Sequence, residues 1–127
     1  MGHLLKRKLP SQLPTLVRAF DRRRDAQPVR RLLVAFGYSD QGITASAIDA
    51  IEDMIVDLDV DVVLGPGAAS EAAIRARIAG GARMQLHIAT TQMARLMADA
   101  DVAIGGFGSS NWERCCLGLP SVALRLA

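Results

Sequence analysis

An α/β fold built on a parallel, doubly wound sheet of about five strands is the architecture this sequence predicts, and three observations predict it. Short apolar runs alternate with helix-period segments from residue 31 onward. The 127 residues are 50% hydrophobic but only 4% aromatic, so Val, Ile, Leu, Ala and Met must build the core, as suits an α/β layer better than a β-sandwich. Glycine or proline marks most joins between runs, and strands separated by helices pair in parallel through crossovers.

The first strand is expected over 31–36, ending at Gly37-Tyr38-Ser39-Asp40. Ile48, Ile51, Ile55 and Leu58 then recur at helical spacing, with Asp49, Glu52, Asp53 and Asp57 mainly on the other side, as on a surface helix. A second strand covers 60–64 and breaks at Gly65-Pro66-Gly67; Ser70 is placed to cap a second helix that Gly80-Gly81 terminates. The third strand spans 83–89 and carries His87, read as a core or rim residue. Met93, Leu96, Met97 and Ala100 form the apolar face of a third helix. A fourth strand at 101–105, a fourth helix at 110–117 and a fifth strand at 121–126 complete the pattern.

Ligands of such sheets bind beyond the carboxyl ends of the strands, near the point where strand order reverses. The loops there are 37–40, 65–70, 88–91 and 105–110. The last is the most informative. An apolar strand runs into Gly105, Gly106 and Gly108, then Ser109 and Ser110 open a helix. Glycines allow close backbone approach, and the first helical N–H groups would face an anion such as phosphate. Glu113, one turn on, is placed to accept hydrogen bonds from a sugar diol. The same residues also read as structure alone, because Ser110 and Glu113 stand in the S-x-x-E relation of a capping box. The spacing is neither G-x-G-x-x-G nor that of a P-loop. None of the four loops carries His, Cys or Lys placed for covalent or metal chemistry, so the loops describe a binding surface, with no catalytic residue and no metal site assigned.

Charge divides the chain. Nine of the fifteen basic residues but only two of the thirteen acidic ones lie at or before Arg31. We therefore divide the chain into a basic arm or linker at 1–30, with a short helix over 16–24 between prolines, and a nucleotide-binding domain at 31–127. A basic arm on an acidic body can meet an anionic surface, but a solvated linker or interdomain helix is the simpler reading and no nucleic-acid partner is expected. Cys115 and Cys116 are neighbours and the only cysteines. They cannot form a disulfide framework, which points to a reducing compartment. No apolar run approaches the ~20 residues of a membrane span, and Lys6, Arg7, Lys8 and Pro10 interrupt any leader-like segment. A cytoplasmic location is expected.

Two runs carry a family resemblance: LVAFGYSD at 33–40 and, more distinctively, LMADADVAIGGFGSSNWERCCLGLP at 96–120. Residues 31–127 resemble the C-terminal half of the UDP-sugar hydrolases of pseudaminic acid biosynthesis. That family is close to the spore-coat polysaccharide proteins and related to GT-B glycosyltransferases. The resemblance implies a Rossmann-like half of a GT-B fold that holds UDP or a UDP-sugar without a cofactor. Ser109 and Ser110 would take the diphosphate, Glu113 the ribose hydroxyls, Gly37, Ser39 and Gly108 would line the phosphate cleft, and the backbone at Ile88 would meet the uracil edge. Tyr38 and Phe107 depart from the family's usual glycines. The family's catalytic histidine sits in a G-x-G-H turn of an N-terminal half; Gly2-His3 echoes only the end of that turn. The chain thus reads as truncated at both ends and inactive alone, with a separate polypeptide as a possible source of the catalytic half. The alternative is a noncatalytic partner domain that docks through its basic arm.

Overall fold

A computed structural model describes residues 28–36, 42–106 and 121–124. Five parallel strands form one sheet in the order β3-β2-β1-β4-β5: β1 (Arg31–Ala35), β2 (Asp59–Leu64), β3 (Met84–Ile88), β4 (Val102–Gly106) and β5 (Ser121–Leu124). The predicted fold class is observed. Three helices lie among the described residues, α1 (Ile43–Ala50), α2 (Glu71–Ala79) and α3 (Met93–Asp99). The predicted helices at 16–24 and 110–117 lie outside the described residues, as do Cys115 and Cys116.

The two sheet faces divide the helices between them. Leu32 and Val34 of β1 pack with Val60, Val62 and Leu64 of β2 against Ile43, Ala47 and Ile48 of α1 and Ile74 of α2. The alternate residues Leu33 and Ala35 join Val63, Ala103, Leu96 and Met97 under α3. Because side chains alternate along a strand, β1 can be apolar at every position from Leu32 to Ala35 only if both faces are covered. The apolar face expected for α3 is the face observed, with Leu96, Met97 and Ala100 buried.

Two elements differ from expectation. The periodicity at Ile48, Ile51, Ile55 and Leu58 predicts one helix, but regular α-helix ends at Ala50 and a 3₁₀ turn follows at Glu52–Met54. Hydrogen bonds of the three-residue kind then carry the chain forward: Ile51 N–H to Ile48 O, Met54 N–H to Ile51 O, and Leu58 N–H to Ile55 O. A spacing of three keeps one face buried in either geometry, so the apolar pattern survives while the helix type changes. Helix α1 instead begins earlier, after Gly42, whose φ of 93° is left-handed.

Ser70 is the second difference. It occupies the N-cap of α2 but makes no capping bond to that helix. Its hydroxyl instead accepts the Ala45 N–H at 3.0 Å. Ala45 is the third residue of α1, whose N-cap Gly42 has no side chain to offer, so a neighbouring segment caps α1. The other end of α2 behaves as predicted: Gly81 has φ 97°, Gly81 N–H bonds to Ile78 O and Ala82 N–H to Arg77 O. These are the two bonds of a Schellman ending.

Candidate functional site

Strand order reverses between β1 and β4, which pair directly over Leu32↔Val102 through Ala35↔Gly105. The crevice of this fold therefore lies beyond Ala35 and Gly105-Gly106. β2 and β3 lie on the β1 side of that pair and β5 on the β4 side. Gly105 and Gly106 end β4, with Gly105 paired to Ala35. Gly37, Ser39, Gly108, Ser109, Ser110 and Glu113 lie outside the described residues, and His3 does too.

Ile88 is the predicted site residue that is described. It ends β3, paired with Leu64 at the end of β2, and is partly buried against the core. Immediately after it, Ala89 adopts φ 51°, a left-handed conformation that is unusual for a residue with a Cβ and costs about 1–2 kcal/mol. The Ala89 N–H bonds to Leu64 O at 2.9 Å. At the next residue the Thr90 hydroxyl accepts the Gln92 N–H at 3.0 Å, turning the chain into α3. The peptide at Ile88–Ala89 is thus held in a defined orientation despite its strain.

On the α3 side of the sheet, the strands at the β3 edge carry polar side chains. Asp61 is 1% exposed. One carboxylate oxygen accepts a hydrogen bond from Arg31 Nη1 at 2.9 Å, and the other lies 3.0 Å from His87 Nε2. An ionised carboxylate only accepts, so His87 donates through Nε2. Asp61's hydrogen bond, then its charge, raises the Arg31 pKa above its ordinary value and keeps the guanidinium charged. The sequence marks His87 only as a core or rim residue and does not single out Asp61. Its signal is a carboxylate inside the apolar run DVDVVL, where the alternating pattern mimics a solvent-facing position.

At the opposite end of the sheet from the crevice, a groove of about 200 Å³ is lined by Arg31, Asp59, Asp61, Arg83 and Gln85. Its charges are paired: Arg83 contacts Asp59 and Arg31 contacts Asp61. Close by, one Asp101 oxygen accepts the N–H groups of Arg30 and Arg31 at 2.9 and 3.0 Å, while Asp101 N–H returns a bond to Arg31 O. This end fastens strand starts together. Among the described residues no group of three or more His, Cys, Asp or Glu could hold a metal ion, and no helix is long and apolar enough to cross a membrane.

Part of this chain is similar to a spore-coat protein. It is 33% identical over 98 residues to the spore coat polysaccharide biosynthesis protein SpsG of Bacillus subtilis (strain 168). The match covers 75% of this chain but only 29% of that protein, in line with the spore-coat side of the resemblance noted above. No family model matches the chain, and no solved structure does.

Proposed function

We propose that this chain acts in polysaccharide biosynthesis as the UDP-binding part of a nucleotide-sugar enzyme. The observation that carries the reading is the strand order, which brings the end of β1 and the glycine end of β4 together at the reversal point. Similarity to SpsG, named for polysaccharide biosynthesis, supports the pathway class. In this reading Ser109 and Ser110 meet the diphosphate through their amides, where helix-terminal N–H groups complement phosphate charge without a metal. Gly37, Ser39 and Gly108 line that cleft, Glu113 accepts the ribose hydroxyls, and the backbone at Ile88 meets the uracil edge. The group that activates water or an acceptor comes from a catalytic half on another segment or polypeptide. The sugar is an intermediate of surface polysaccharide or nonulosonic acid synthesis, the latter because of the resemblance to the hydrolases of pseudaminic acid biosynthesis.

Calorimetric titration of the chain with UDP and with ADP tests the reading. Binding of UDP in preference to ADP, independent of divalent metal, is the expected result. Equal affinity for both, or no binding at millimolar concentration, would defeat it and favour a partner domain that docks through its basic arm.

A further inference from the structure

Parallel strands covered on both faces normally present apolar side chains to each face, and in this sheet β1 does so from Leu32 to Ala35. The β3 edge departs from that rule on the α3 side, where buried Asp61 holds both Arg31 of β1 and His87 of β3. Apolar residues would give burial more cheaply, since taking a carboxylate out of water has to be offset by its partners. What a hydrogen-bonded triad adds is direction: it ties three successive strands in one register and fixes the rotamer of His87. β3 needs such a tie because, among the described residues, it is the last strand on its side and pairs with β2 alone.

His87 directly precedes Ile88 and the left-handed Ala89. A strained backbone persists only where its surroundings over-determine it, and the surroundings here are the Ala89 bond to Leu64 O, the Thr90 turn and the His87–Asp61 tie. The strain and the buried triad are separate observations that converge on one peptide. We propose that Asp61, acting through His87, is a positioning residue for nucleobase selection, fixing the Ile88–Ala89 peptide that reads the base edge. This inference rests on the assignment of the Ile88 backbone to the uracil edge.

The experiment compares UDP and ADP affinities in the full chain, in His87→Leu, in Asp61→Leu and in the double variant, with His87→Gln as the conservative replacement that keeps a donor. Leucine fits a buried strand, and half-buried His87 tolerates it, so the variants fold. The expected result is a UDP preference reduced about tenfold in each leucine variant, no further loss in the double variant and retention in His87→Gln, with faster amide exchange at Ala89. Parallel loss of affinity for both nucleotides, or an unchanged ratio in either leucine variant, overturns the positioning role while leaving the UDP site standing. A wild-type chain with no UDP preference overturns the site and this inference together.

Discussion

Removing the Ser70 hydroxyl tests how this fold ends its first helix. Ser70 is 1% exposed, and its oxygen accepts the Ala45 N–H at 3.0 Å across 25 residues of sequence. In Ser70→Ala the Ala45 donor, one of the orphan groups of the first turn, loses its acceptor in a partly buried place. Loss of a cap costs ~0.5–2 kcal/mol, and an unsatisfied buried donor costs ~1–3 kcal/mol. We expect a destabilisation of about 1–2 kcal/mol, or a fall in melting temperature of roughly 3–5 °C per kcal/mol at this length. Ser70→Thr keeps the hydroxyl and recovers most of the loss. Denaturant melts give the energy, and amide hydrogen exchange gives the place: protection should fall at Ala45 on α1 and stay unchanged at Ala72 and Ala73 on α2. Lost protection at Ala72 and Ala73 with Ala45 unaffected would mean that Ser70 caps its own helix and would refute the reasoning.

The remaining predictions contrast two hydrophobic residues. Leu33 is fully buried under α3 beside Leu96 and Met97, so Leu33→Ala should cost about 2–5 kcal/mol by chemical denaturation, a large part of the ~5–15 kcal/mol of a typical domain; a cost below ~1 kcal/mol would mean that α3 does not cover this face. Val56 is 70% exposed, and Val56→Ser should stay within ~0.5 kcal/mol of wild type, with a larger loss indicating a packing partner for it.

Much of this architecture is legible in the sequence because parallel strands bury both faces. Runs such as LLVA of β1 stand out without any knowledge of their neighbours, and Gly80-Gly81 signals a helix end through backbone freedom alone. Sequence spacing could not separate α-helix from 3₁₀ turn after Ala50, since Ile48, Ile51 and Leu58 lie inward in both. Nor could it find the partners of Ser70 and Asp61. Ser70 bonds across 25 residues, and Asp61 reaches Arg31 and His87 across 30 and 26 residues, contacts that exist only once parallel register is set. At the candidate site, the alternation of elements implies a parallel doubly wound sheet, but the order that puts β4 next to β1 is set by long-range pairing that the sequence pattern does not show. The anion-site pattern at 105–113 is local and therefore readable, but its two meanings, cap and ligand site, use the same atoms. Of that pattern Gly105 and Gly106 fall within the described structure, and of the predicted nucleotide-binding residues Ile88 does.

The central claim rests most directly on Glu113. As the third residue of a capping box, its replacement by Gln changes little, because Gln also serves there. As a ribose ligand its carboxylate accepts two hydroxyl donors with charge assistance, each such bond worth about 1.5–3 kcal/mol. UDP affinity and thermal stability measured together in Glu113→Gln separate the two roles. The account predicts unchanged stability with UDP affinity reduced more than about tenfold, or ~1.4 kcal/mol; unchanged affinity in a chain that binds UDP would contradict it and leave Glu113 a helix cap.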